Sequence, residues 1–463
     1  MVVRQLSERG TGAATEARIP GPKGSLLLGS LFDLRRDILG FMRHSMLEYG
    51  DVVRARVGPP SARSMVTFVY HPDGVAQVLA GTDDNYYKGT KVYDEISDLL
   101  GKGLLTSDGE DWRRQRRLVA PLFNRKTVST YVPMIADEAT RLVGRWAGGA
   151  GSTVDLHGEM TAITLRVIGR AVFGTEVDHM VPTLRDSVPY LSSRALRRGL
   201  APVVLPPSWP TPENRVAARH QGAIFGLVDD LIASRRKHPT EGHDLVNLLI
   251  DAQDPEGGLG LSDVEVRDQA LIFLLAGHET TATALTFALH LLGHHLDIQA
   301  QVAEESAALM GAGAPTLEVV NRLTFTTMVV KEAMRLYPSA AATSRMNRRS
   351  DTIGGYAIGP CSTIVVSPWA THRHPGWWHE PDRFDPERFA PGADVDRPRY
   401  AYFPFGGGPR ACIGQYFSMV ESVLVTAAII GAFALRTDPE PVPLFTGITL
   451  RPARAMPASL TPR

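Results

Sequence analysis

Phe405-Gly406-Gly407-Gly408-Pro409-Arg410-Ala411-Cys412-Ile413-Gly414 sets one of the chain's two cysteines behind three glycines, a proline and an arginine. Without Cβ atoms, such a backbone can approach a flat group closely and take up dihedral angles that other residues resist. Pro409 stiffens the loop. From Gln415 to Ile430 there is no proline and the apolar residues recur at helical spacing, which predicts a helix starting just after Cys412. Free N–H groups and the dipole at that helix start favour an anionic sulfur and predict a lowered thiol pKa. Arg410 adds a cation suited to a carboxylate. The whole stretch suits one thiolate held against a metal.

With Phe405, Gly408, Arg410, Cys412 and Gly414 in register, the loop resembles the haem-thiolate loop of the cytochrome P-450 superfamily, F-x-x-G-x-R-x-C-x-G. A lone cysteine reads more readily as an ordinary buried thiol. Five residue types at fixed spacing turn the balance towards a metal ligand, provided the rest of the chain supplies the context. The resemblance implies haem b, with Cys412 as iron ligand and Phe405, Gly406, Arg410 and Gly414 against the cofactor.

At 463 residues, length alone would suggest about three domains, a prior that single large folds break. Hydrophobic residues make up 44% and charged residues 21%, ordinary for a globular chain with a sizeable core. Lys+Arg and Asp+Glu both number 49, so no charge excess points to nucleic acid. Two cysteines, Cys361 and Cys412, cannot make a disulfide framework or a four-cysteine zinc site, and the chain reads as intracellular. The N-terminus lacks the apolar core of a signal peptide, and no stretch approaches about 18 consecutive apolar residues, so a cytoplasmic monomer without a transmembrane anchor is expected.

Residues 1–18 read as a mobile arm and 19–463 as one domain, mainly helical with a minor β component. Asp51–Gly58 and Ser64–Tyr70 flank a Pro-Pro turn and predict a hairpin; Gly354–Ile358 and Ser362–Val366 predict a second, with Cys361 packed in its turn. Ser262-Asp263-Val264-Glu265 is a capping-box signature, after which helical periodicity runs to about Leu296. That is about 50 Å at 1.5 Å per residue, enough to cross the molecule. Proline-rich irregular chain is expected over 375–404.

On this long helix lies Ala276-Gly277-His278-Glu279-Thr280-Thr281. Mid-helix glycine costs about 1 kcal/mol against alanine, and threonine competes for backbone hydrogen bonds, so the stretch breaks local rules as functional sites do. Alone it would read as a polar stripe; a metalloprotease reading of His278-Glu279 fails because position 282 is alanine. It resembles the family's oxygen-activation motif. Carried over, Ala276 and Gly277 leave room over the iron for O2, Thr280 hydrogen-bonds the activated oxygen and Glu279 relays protons.

Glu332 and Arg335 stand three apart on one helical face, and Phe384-Asp385-Pro386-Glu387-Arg388-Phe389 follows. Most such pairs are solvated surface ion pairs worth under about 1 kcal/mol. In the resembled family these segments form a buried network, which gives Glu332, Arg335 and Arg388 a structural role. Trp112, Arg116 and Arg345 match propionate-binding positions. Arg113, Arg114 and Arg117 are offset from the Trp112/Arg116 face, and we expect them to point outward and to help dock an acidic electron donor.

The resemblance covers nearly the whole chain, and the motifs occur in the family's order. It implies a fold with haem between the long central helix and the cysteine-loop helix, and a monooxygenase inserting one atom of O2 into a lipophilic small molecule such as a terpenoid, fatty acid or polyketide. Ferredoxin and an NAD(P)H-dependent ferredoxin reductase would supply electrons. A peroxygenase or isomerase would keep the haem without the acid-threonine pair, and a non-catalytic haem sensor or carrier would need neither. Leu104, Leu105, Leu271 and Phe273 suit an apolar pocket or the core equally.

Overall fold

The computed structural model describes residues 18–463 except 82–83, 150–152, 175–177, 202–203, 238–243, 254–257, 259, 312–314 and 439–440. The arm expected over residues 1–18 lies outside the described residues save for its last.

A 32-residue helix, Asp263–His294, runs through the centre, and both halves of the capping box form at its start. Ser262 Oγ accepts from the Glu265 N–H at 3.3 Å and Glu265 Oε2 accepts from the Ser262 N–H at 2.9 Å. Satisfying orphan donors in this way fixes where the helix begins. It ends at His294, two residues short of the sequence expectation, and after His295 the helix Leu296–Leu309 follows at once. Leu274, Leu285, Phe287, Leu289 and Leu292 are wholly buried along it, each worth about 1.5–3 kcal/mol of transfer free energy.

Around this core helix pack Leu156–Phe173, Thr324–Leu336 and the helix after the cysteine loop, Gln415–Ala432. By length and composition the core helix and the cysteine-loop helix could each cross a membrane, which corrects the expectation of no such stretch. Both are mostly buried within the protein, where an interior helix shows the same apolar composition.

A five-stranded sheet lies beside the helices in the order Val52–Val57, Ser64–Val69, Thr363–Val366, Thr343–Asn347, Tyr86–Tyr87. Its first two strands form the expected antiparallel hairpin, from Val52 opposite Val69 to Val57 opposite Ser64. The second expected hairpin does not form. Tyr356–Ile358 instead folds back on Asp351–Ile353, because Gly354 and Gly355, at φ 55° and 82°, supply a two-residue turn ahead of it. Thr363–Val366 runs parallel to Ser64–Val69 and antiparallel to the strand bearing Arg345. Cys361 does sit in a turn, ahead of Thr363–Val366, but is exposed rather than packed. Residues 375–404 are irregular with short 3-10 turns, as expected.

Candidate active site

The cysteine loop closes on itself through the Cys412 N–H, which donates to Phe405 O at 2.9 Å, and the Gly406 N–H, which donates to Phe403 O at 2.9 Å. Gly406 and Gly408 hold φ of 71° and 65°. At Gly408 a Cβ would collide with the Leu79 carbonyl, whereas at Gly406 and Gly414 it would meet open space. One glycine thus locks the loop to the protein, while two leave a bare backbone surface on which a flat group can lie.

Cys412 stays accessible. Burial around it pushes its thiol pKa up, against the pull of the Gly414 N–H and Arg116. The lowering expected from the helix start is present only as that minor pull, because desolvation penalises the anion more. A coordinating metal deprotonates a thiol outright, so the sulfur suits a ligand better than a free nucleophile.

Across the interior, Ala276 is exposed and Gly277, Glu279 and Thr280 are half-buried, in a helix otherwise buried on both sides of this turn. Thr280 Oγ1 donates to Ala276 O at 2.7 Å, and Ser339 Oγ donates to Thr280 O at 2.7 Å. Thr281 points elsewhere: its hydroxyl meets Ser418 Oγ at 3.0 Å and ties the core helix to the cysteine-loop helix. The expectation that Gly277 leaves room over the iron does not hold, since a Cβ there would strike Ile168 on the neighbouring helix. Of the two, Ala276 is the one that is exposed. His278 is buried, with Nδ1 2.7 Å from Leu274 O, and burial lowers its pKa.

Cations collect at one edge. Arg345, 6% exposed, reaches Ser344 O at 2.8 Å, Thr343 Oγ1 at 3.2 Å and the Tyr93 hydroxyl at 3.5 Å through Nη1. The Arg410 guanidinium stacks 4.2 Å from the Trp112 ring, donates to Ser107 O at 2.8 Å and pairs with Asp108. Arg116 donates to Ala411 O at 3.1 Å, beside Cys412. Two further residues, Lys88 and Tyr93, join this edge without having been expected. Lys88 Nζ donates to Leu105 O at 2.7 Å and sits 5.0 Å over the Tyr93 ring. Burial lowers the Lys88 pKa to about 8; Tyr93 is also drawn down to about 8, because Lys88 and Arg345 outweigh the burial that opposes its ionisation. Their place follows from pairing of Tyr86 and Tyr87 with Asn347 and Met346, a non-local contact that no spacing announces.

Glu332 and Arg335 are wholly buried and form a two-pronged ion pair at 2.7 and 2.8 Å. Burial pushes the Glu332 carboxyl up while Arg335, the Asp385 N–H and Arg388 pull it back. Arg388 Nε lies 3.5 Å from Glu332, and Arg335 also donates to His372 O, Pro381 O and Arg383 O. One buried arginine thereby gathers the irregular chain that leads to the cysteine loop. Arg113 and Arg114 do not form an outward docking patch. Arg113 pairs with Asp84 and Glu110, and Arg114 with Glu265 of the capping box. Arg117 also has a partner. Leu104, Leu271 and Phe273 belong to the core, and Leu105 is half-buried against it.

The residues fit haem: a single thiolate, bare glycine backbone beside it, and an edge where Arg410, paired with Asp108, is joined by Lys88, Arg116 and Arg345, whose donors reach only backbone or hydroxyl oxygens, cations suited to two propionates. Among the described residues no cluster of three or more His, Cys, Asp or Glu could hold a metal in another way.

The sequence model of the family described as Cytochrome P450 matches residues 19–457. The chain is 36% identical to the cyclooctatin synthase of Streptomyces melanosporofaciens, over 95% of this chain and 93% of that protein. It is 35% identical to the cyclooctat-9-en-7-ol 5-monooxygenase of the same organism, over 89% and 88%, and 31% identical to the pentalenene oxygenase of Streptomyces avermitilis, over 94% and 96%. With the thiolate loop, the opened core helix and the cationic edge in one interior, the chain belongs to the cytochrome P450 family and is a haem-dependent monooxygenase.

Proposed function

We propose that this cytochrome P450 hydroxylates or epoxidises a cyclic terpenoid, with Cys412 as the thiolate that would hold the haem iron and Glu279 and Thr280 as the proton-delivery pair. The observation that carries the reading is the exposure of Ala276 beside Thr280 in the middle of a buried helix. The terpenoid class is supported by the names of the relatives, which act on cyclooctat-9-en-7-ol or are called a pentalenene oxygenase.

Haem, when bound, supplies reductive activation of O2, with thiolate donation favouring O–O cleavage. Overall, substrate, O2, two electrons and two protons give oxygenated product and water. Lys88, Arg116, Arg345, Arg410 and Trp112 would hold the cofactor's carboxylates and so orient it. Thr280 Oγ1 commits its proton to Ala276 O, which turns its lone pairs towards the opening, ready to accept a hydrogen bond. Glu279, half-buried and without a hydrogen-bond partner among the described residues, is free to carry a proton inward. A ferredoxin and its NAD(P)H-dependent reductase are the electron donors, and the enzyme works as a cytoplasmic monomer.

The test supplies holoenzyme with a surrogate ferredoxin, its reductase, NADPH and 18O2, using cyclooctat-9-en-7-ol and pentalenene as probes. One probe is expected to shift the haem spin state and to gain a single labelled oxygen. Glu279→Gln and Thr280→Ala should each lower product per NADPH by about 10²-fold or more. Turnover of a linear fatty acid with neither terpenoid bound would overturn the substrate class.

A further inference from the structure

Glu279 and Arg451 are both half-buried, and among the described residues neither side chain makes a hydrogen bond or an ion pair. Arg451 lies in the hairpin formed by Leu444–Thr446 and Leu450–Pro452, its guanidinium 4.4 Å from the ring of its cross-strand partner Phe445. That hairpin is fastened to the proton-delivery turn. Thr283 Oγ1 donates to Leu450 O at 2.8 Å, the Leu450 N–H donates to Ser339 O at 2.8 Å, and Ser339 Oγ donates to Thr280 O at 2.7 Å. Glu279, Thr283 and Thr286 follow one another at helical spacing on one face of the core helix. Thr286 Oγ1 lies 3.5 Å from His157 Nδ1, on the helix Leu156–Phe173. Asp155 is open to solvent, and His157, Arg451 and Glu279 are all half-buried.

The charges share one field. Burial lowers the Arg451 pKa and Glu279 raises it; burial and then Arg451 bring His157 down to about 4, opposed by Asp155. An unpaired, partly desolvated guanidinium favours a carboxylate turned towards it.

We propose that solvent protons reach Glu279 along the seam between this hairpin and the helix Leu156–Phe173, with Arg451 as the positioning residue that keeps the carboxylate in that seam. This rests on Glu279 being the proton carrier. The step moves a proton from water to a Glu279 carboxylate oxygen and on towards the Thr280 hydroxyl; no bond between heavy atoms changes.

The test uses holoenzyme with a surrogate ferredoxin, reductase, NADPH and O2 as the probe, reading peroxide released per NADPH and the H2O/D2O rate ratio. Arg451→Gln is expected to release severalfold more peroxide and enlarge the isotope ratio. Arg451→Lys should restore both, and Arg451→Gln should add nothing in a Glu279→Gln background. Thermal midpoint and the carbon monoxide spectrum report whether each variant is folded. Wild-type readings for Arg451→Gln beside an impaired Glu279→Gln, or effects that multiply in the double variant, overturn the role of Arg451 alone. Wild-type readings for Glu279→Gln overturn the carrier itself, and the seam with it.

Discussion

Gly408 and Gly406 sit two residues apart with the same left-handed backbone and opposite surroundings. Alanine at either should cost about 1–2 kcal/mol in backbone strain. At position 408 the new methyl also meets the Leu79 carbonyl, which cannot move without breaking the loop's seat. Gly408→Ala should therefore lose clearly more than that in chemical denaturation of the apoprotein. Gly406→Ala should stay near the strain value yet take up haem poorly, since its methyl would enter the bare face. Equal losses of stability would contradict this division of labour. At this scale the cysteine loop was legible because all its determinants lie within ten residues of one another. Lys88 and Tyr93 were not, since they meet Arg345 only through strand pairing. The role expected of Gly277 failed because sequence does not say which way a missing side chain would have pointed.

Among elements, the core helix carries adjacent threonines with different duties. Thr281→Val removes the bond to Ser418 and should cost about 1 kcal/mol in thermal or urea unfolding, without raising peroxide release. Thr280→Val should do the reverse, with stability nearly unchanged and most electrons diverted to peroxide. Parallel behaviour of the two variants would mean that the faces have been misassigned. The start of this helix was readable from Ser262 and Glu265, whose capping partners are local. The second hairpin was misread because Gly354-Gly355 turns the chain before Tyr356, and alternation alone does not tell which neighbouring strand pairs with which. The docking role for Arg113 and Arg114 failed on ion pairs to Asp84 and Glu265, the second of them 151 residues away in the chain.

Over the whole molecule, histidines held neutral lower stability as the solution is made acid. Burial takes His290 and His157 down to about 4, and lowers His278 and, more strongly, His372. Above about pH 6.5 these groups are neutral in both states and contribute nothing. As pH falls from there, the unfolded chain takes up protons that the fold refuses, so stability drops; below 4 the share lost through His290 and His157 levels off. For His290, 8% exposed, the loss between pH 7 and 5 is about 2 kcal/mol. His290→Gln should remove that part of the slope in urea unfolding, and an unchanged slope would show the ring to be protonated in the fold. Composition and motif order already indicated one mainly helical domain, while the coupling of buried charges depends on which faces the fold brings together.

The central claim, one thiolate from Cys412 on haem iron, is tested most directly by the absorption spectrum of the dithionite-reduced holoenzyme under carbon monoxide. A strongly red-shifted Soret band that disappears in Cys412→His is the predicted result. A short-wavelength band in the wild-type protein, or a red-shifted band that survives the substitution, would contradict it.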